Sequence, residues 1–314
     1  MNLDLPPSGG ASAGTSESSA ARALHSQGLG SLPAPRHLFE FLTRSRHLHM
    51  GFFEGPADTL AMAQDRLVTR AARRLGRGSL VADVGCGLGG SVQLLASQGH
   101  RVYGLDPCAA SIGYARTHAA APRAQFLVAD LAQFATRARG ARFDALFLTE
   151  VLPHFRDLGA VFAHCRSVLR PGGLVLVHDV ARLDAPAEAY PGLHARGAVM
   201  VAADAAGFDQ VEGRDVTARV SPTLPRLLRA LAEQRAEIQA TFGATRPAIA
   251  RELEEFEQRL RALELGFARQ DLAYEASLLR CSTRLGTDSV VLRRSTTGVP
   301  EPAPVQRPIA PRPI

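Results

Sequence analysis

The chain has 314 residues, 46% of them hydrophobic and 21% charged, with a net charge of +6. That length accommodates one large α/β domain with an insertion or two modest domains, and the composition excludes a fibre or a repeat array. All 36 basic residues are arginine, which excludes lysine Schiff-base chemistry, and they are scattered without interleaved aromatics, so no nucleic-acid partner is expected.

Along the chain, residues 1–35 are rich in Ser, Gly and Ala and are expected to be a disordered tail, because they bury too little apolar surface to offset their ordering entropy. Short apolar runs then alternate with amphipathic segments, the mark of a parallel sheet wrapped by helices. Strands are expected over 79–86, 101–106, 124–130, 143–150, 173–180 and 208–217. From 221 to about 285 the strand rhythm stops, and Leu224, Leu227, Leu228, Leu231, Leu253, Phe256, Leu260 and Leu263 recur at helical spacing. A helical cap inserted before the last strand follows from this. Either "DSVVLRRS" (288–295) or "YEASLLRC" (274–281) supplies that strand, the former returning to the sheet edge beside the sixth. The folded domain is expected over 36–294, and the proline-punctuated stretch 295–314 reads as a disordered tail.

Cys86, Cys108, Cys165 and Cys281 have no C-x-x-C spacing and read as buried free thiols. No apolar stretch reaches the roughly 18 residues of a membrane span, and no secretory signal precedes the domain, so a cytoplasmic protein without membrane contact is expected. Oligomeric state leaves no mark in the sequence.

The first strand runs into "VADVGCGLGG" (81–90), where glycines let the backbone approach a ligand at a helix N-terminus. Gly85, Gly87 and Gly90 satisfy the dinucleotide pattern G-x-G-x-x-G, with Asp106 ending the second strand at a spacing suited to a ribose diol. Asp83 and Gly89 extend the pattern to D-x-G-x-G-x-G. That longer motif resembles the first motif of class I S-adenosylmethionine-dependent methyltransferases. "GLD", "VADL", "FDALFLTEVLPHF" and "LRPGGLVLV" follow in the order of that family. The resemblance implies a doubly wound, Rossmann-like, seven-stranded sheet with S-adenosylmethionine as cofactor. It places Asp83 near the methionine ammonium, Asp106 on the ribose and Asp130 on the adenine, with Gly85, Gly87, Gly89 and Glu150 also in contact. The plain structural alternatives are a turn residue for Asp83, a strand-end cap for Asp106 and a helix N-cap for Asp130.

"RHLHMGFFEG" (46–55) is similar to the segment ahead of the first strand in tocopherol, sarcosine, rebeccamycin-type and macrolide-sugar methyltransferases, where an aromatic packs over the cofactor. Phe52 takes that place here, with Phe53 beside it. His47 and His49 form an H-x-H pair without companion ligands, so no metal is expected and the pair is read as positioning the cover. In the same subgroup a histidine follows the fourth strand and an acid ends the fifth, which makes His154 the general base and Asp179 its orienter. The activity implied is methyl transfer to a small organic acceptor, a natural-product or other secondary-metabolite intermediate, with O-methylation favoured. Alternatives are N- or C-methylation of a quinone, lipid or amine, a nicotinamide oxidoreductase resting on the shared glycine pattern, and a non-catalytic S-adenosylmethionine-binding protein.

Overall fold

A computed structural model describes residues 32–138 and 140–283. Most of the expected N-terminal tail, the run at 288–295 and the C-terminal tail lie outside the described residues. Packing begins earlier than the expected boundary at 36, since Leu32 is fully buried and its carbonyl accepts a hydrogen bond from Arg246 Nη1 at 2.8 Å.

Helices α1 (Arg36–Thr43) and α2 (Leu60–Ala72) precede the alternating core of β1 (Leu80–Val84), α3 (Gly90–Ser97), β2 (Arg101–Asp106), α4 (Ala109–His118), β3 (Ala124–Val128), α5 (Leu131–Arg137), β4 (Phe143–Thr149), α6 (Leu158–Val168) and β5 (Leu169–Arg182). Then come α7 (Ala198–Ala205), β6 (Phe208–Asp215), the cap helices α8 (Thr217–Val220), α9 (Thr223–Phe242) and α10 (Ile249–Ala268), and β7 (Leu272–Cys281). The seven strands form one sheet in the order β3-β2-β1-β4-β5-β7-β6, parallel except for β7. The expected doubly wound α/β sheet with a helical insertion before its last strand is the fold observed.

Burial explains the strand assignments. β1 and β4 lie centrally with both faces covered, so they read as mostly apolar runs, interrupted by Asp83 and Asp144, rather than as alternating ones. The last strand uses the 274–281 run extended back to Leu272, and it lies between β5 and β6 rather than at the sheet edge. Leu272, Ala273, Tyr274, Leu278 and Leu279 are all buried, as a strand paired on both sides requires. β6 is left at one edge of the sheet, and its exposed Asp209, Arg214 and Asp215 discourage pairing with another chain.

Two apolar clusters cover the sheet faces, one built on Phe134, Phe143 and Phe162 beneath α5 and α6, the other on Val92, Leu95 and Ile112 beneath α3 and α4. A third cluster joins α1 to the cap through Leu38, Phe41, Leu224, Leu227, Phe242, Leu253 and Tyr274. The cap is therefore fastened to the N-terminal segment by burial that the chain achieves only across some 200 residues of sequence separation, on the order of 1.5–3 kcal/mol for each large side chain.

Candidate functional site

The site begins where β1 turns into α3. Gly85, Gly87 and Gly89 adopt left-handed φ values of 72°, 54° and 85°, a region that β-carbon-bearing residues enter only at a cost. Backbone N–H groups of Gly85 and Cys86 both donate to the Leu105 carbonyl, at 2.8 and 3.0 Å, which fixes the loop against β2. Glycine serves a second purpose here. A Cβ at Gly87 would lie 2.7 Å from Leu48 Cδ1, and one at Gly90 would lie 2.7 Å from the His47 backbone nitrogen. The segment 46–49 thus lies directly on the loop.

Asp106 ends β2 with 2% exposure. Its Oδ1 accepts from the Cys108 N–H at 2.8 Å, and its Oδ2 accepts from the Gly87 N–H at 3.2 Å and from Arg36 Nη1 at 3.1 Å. Arg36 also donates to Ser111 Oγ at 2.6 Å. Asp83 is buried, and no hydrogen-bond donor reaches its carboxylate among the described residues. Burial, and then the neighbouring Asp106 carboxylate, pushes Asp83 up to about 7.

These groups border a cavity of about 780 Å³ that also takes in His47, Leu48, His49, Asp130, Glu150, His154 and Arg259. Asp130 is the N-cap of α5, its Oδ1 accepting from the Gln133 N–H at 2.7 Å in a reciprocal capping box, and it lines the cavity as well. Its structural role and its expected place at the cavity coexist. Glu150 follows β4 with a φ of 50°, and its Oε1 accepts from the Met50 N–H at 2.7 Å and from the Tyr274 hydroxyl at 2.9 Å. Burial pushes its carboxyl up to about 7 against the pull of those two donors. One carboxylate thereby clamps the N-terminal cover, the end of β4 and β7 together.

His154 closes the 3-10 turn Leu152–His154 and is exposed at the cavity. Asp179, expected to orient it, points elsewhere. The Asp179 carboxylate accepts from the Leu152 N–H at 2.9 Å and from its own neighbour Val180 N–H at 2.8 Å, and it lines a separate cavity of about 30 Å³. No hydrogen bond joins His154 to Asp179. Asp179 instead secures the turn on which His154 stands, with its carboxyl held well above the usual range by burial and by Glu150.

Phe52 does not pack over the cofactor cavity. Gly51 lies tight against α2, its N–H donating to Thr223 Oγ1 at 2.9 Å, and the chain turns so that the Phe52 ring lies under the Arg70 guanidinium at 4.3 Å. Phe53 lies likewise beneath Arg226, at 4.5 Å. Leu48 and the two histidines form the cover over the loop. His47 Nε2 is 2.9 Å from Asp65 Oδ1, His49 Nε2 is 3.1 Å from His47 Nδ1, and Gln64 donates to both histidine carbonyls. Burial holds His49 well below its ordinary value, so its ring is neutral. Among the described residues no group of three or more His, Cys, Asp or Glu side chains is arranged for a metal ion, and no helix is long and apolar enough to cross a membrane.

Three residues of the site have no motif in the sequence: Arg36, Tyr274 and Arg259. Each lies far along the chain from the glycine loop or from the group it meets, and only the sheet order and the cap bring them in.

The residues fit S-adenosylmethionine. The loop leaves no room for β-carbons, the unpartnered Asp83 carboxylate lines the cavity where a methionine ammonium would lie, and Asp106 lines it at the end of β2, where a ribose would lie. Residues 82–177 match the methyltransferase domain family. Curated relatives include ubiquinone biosynthesis O-methyltransferases of Rhodopseudomonas palustris, 34% identical over 33% of this chain and 41% of that protein, and of Pasteurella multocida, 32% identical over 33% of this chain and 48% of that one. The chain thus spans less than half the length of these relatives. Among solved structures, a putative sarcosine dimethylglycine methyltransferase from Galdieria sulphuraria aligns with a TM-score of 0.69 at 17% identity, covering 79% of this chain and 96% of that one. The cyclopropane synthase MmaA2 from Mycobacterium tuberculosis aligns at 0.68 and 20%, covering 82% and 98%, and the cyclase SpnF at 0.62 and 21%, covering 78% and 92%. Motif order, strand order and family match agree, and residues 82–177 make up a class I S-adenosylmethionine-dependent methyltransferase domain.

Proposed function

We propose that the chain transfers the methyl group of S-adenosylmethionine to a hydroxyl of a small organic acceptor, with His154 as the base. The observation that carries this reading is the shared cavity, which has the Asp83 and Asp106 carboxylates on its floor and the His154 imidazole at its rim. The cofactor, when bound, supplies a methyl carbon activated by its sulfonium. Asp83 would hold its methionine ammonium, Asp106 its ribose and Asp130 its adenine, while Glu150 keeps the cover closed and the cap excludes water from the reacting atoms. His154 takes the proton from the acceptor hydroxyl as the new C–O bond forms and the C–S bond breaks. The products are the methylated acceptor, S-adenosylhomocysteine and a protonated imidazole.

Oxygen as the accepting atom is supported by the names of the matched relatives. The acceptor is taken to be a secondary-metabolite intermediate, and a phenol of quinone synthesis falls in the same chemical class.

Calorimetric titration with S-adenosylhomocysteine, with NADH as the contrasting ligand, tests the cofactor half of this reading. Micromolar binding of S-adenosylhomocysteine, about −8 kcal/mol, is expected in the wild type, with at least a tenfold loss in Asp106→Ala and none for NADH. A wild-type protein that fails to bind S-adenosylhomocysteine overturns the proposal.

A further inference from the structure

The cavity is divided by charge. Its four carboxylates, Asp83, Asp106, Asp130 and Glu150, all belong to the strand ends and the loops that follow them, on the floor. Three of these are held by protein donors, and Asp83 faces the place of the cofactor amine. The cap helix α10 contributes Arg259, an exposed residue that also lines the cavity.

Arg259 stands apart from its neighbours. Arg251 pairs with Glu255, which lies one turn before Arg259; Arg235 and Arg261 share Glu257, and Arg246 pairs with Glu252. The two other arginines lining the cavity are also engaged, Arg36 by Asp106 and Arg46 by Gln93 at 2.7 Å. Among the described residues no ion pair or hydrogen bond reaches the Arg259 guanidinium.

The wall beside it is aromatic. Phe39 and Phe155 are half-buried and line the same cavity. The Phe39 ring meets Phe256 edge-on at 6.3 Å, and Phe256 lies three residues before Arg259, on the same side of α10. Arg259, the two aromatic rings and His154 thus all line one cavity.

We propose that the acceptor is an aromatic or similarly flat carboxylic acid, its carboxylate gripped by Arg259, its body between Phe39 and Phe155, and its hydroxyl presented to His154. This rests on the methyl-transfer reading above. A planar guanidinium satisfies both oxygens of one carboxylate through parallel N–H donors. One unengaged arginine suits a single negative charge better than a doubly charged phosphate. The bound sulfonium adds a positive charge ahead of the acceptor and acts in the same direction.

The test uses the full chain saturated with S-adenosylhomocysteine and two probes of equal shape, benzoate and benzamide. Benzoate is expected to bind at least tenfold more tightly than benzamide in the wild type. Arg259→Gln should bring the two within about twofold of each other, Arg259→Lys should retain part of the preference, and added salt should shrink it. Affinity for S-adenosylhomocysteine should be the same in all three proteins, which separates loss of the arginine from loss of the fold. Equal or undetectable binding of the two probes to the wild type, or a preference that survives Arg259→Gln, overturns the proposal while leaving the methyl-transfer reading in place. A wild type that takes up no S-adenosylhomocysteine overturns that reading, and this proposal with it.

Discussion

The floor of the cavity and its cover are built on different principles. The floor is backbone: the Gly85 and Cys86 N–H groups on Leu105, glycines in left-handed conformations, and strand ends in a fixed parallel order. The cover is made of single side-chain ties between distant parts of the chain. Glu150 joins Met50 to Tyr274, Arg36 reaches Asp106, and Thr223 receives Gly51. A sheet distributes its cohesion over many equivalent bonds, whereas the ties of the cover are few and each joins a different pair of elements. The floor should therefore tolerate change wherever space allows, and the cover should fail one residue at a time.

Removing the proposed base is expected to have the largest effect. His154→Ala should lower kcat by about 10²–10⁴-fold and leave S-adenosylhomocysteine binding intact, because the floor is untouched. Unchanged turnover would remove His154 from the mechanism. Cutting the central tie comes next. Glu150→Ala leaves the Met50 N–H and Tyr274 hydroxyl without their acceptor, at about 1–3 kcal/mol for each buried group, whereas Glu150→Gln keeps an acceptor oxygen and should cost far less. Denaturant unfolding of both variants measures the contrast, and equal losses would show that the carboxylate charge, not the tie, holds the cover.

Two glycine substitutions sharpen the comparison further. Gly90→Ala drives a Cβ to 2.7 Å from the His47 backbone and should destabilise by about 1–3 kcal/mol. Gly113→Ala, in α4 with open space around it, should stabilise by about 0.4–1 kcal/mol. A stabilised Gly90→Ala would mean that the cover yields more readily than its packing implies.

The smallest expected effect concerns protons. Asp83 lies at about 7 in the free protein, and an ammonium beside it favours the carboxylate, so the complex holds fewer protons than its parts. S-adenosylhomocysteine binding should then release a proton below pH 7, and affinity should rise with pH up to about 7 and level off above it. Titrations at pH 6 in buffers of different ionisation enthalpy read this directly, and Asp83→Asn should abolish it. Proton release of the same size in the variant would assign it to another group.

The same division decides what the sequence made legible. The glycine loop, Asp83, Asp106 and the alternating strands are local patterns, each set by neighbours within a few residues, and the strands form as expected, with the loop and both acids lining the cavity. The last strand was ambiguous because 274–281 and 288–295 are both short apolar runs, and only pairing on both sides by β5 and β6 distinguishes a central strand from an edge. Arg36 and Asp106 are 70 residues apart, Glu150 and Tyr274 are 124 apart, and no periodicity links them. Phe52 turns away from the place the resemblance implies, because its direction depends on how Gly51 meets α2. The His154–Asp179 pairing that the resemblance implies does not form, because Asp179 accepts from the N–H groups of Leu152 and Val180 instead.

The position of β7 also constrains how the molecule comes into being. β6 leaves the ribosome well before β7 yet touches the rest of the sheet only through it, and β5 has no strand neighbour on that side until residues 272–281 arrive. During synthesis the cap helices emerge while β5 presents an open, apolar edge, the condition under which nascent chains associate wrongly. The strand that completes the sheet is also the one that brings Tyr274 to Glu150. Closing the sheet and closing the active-site cover are therefore one event, and the cavity takes shape only when almost all of the described chain has been made.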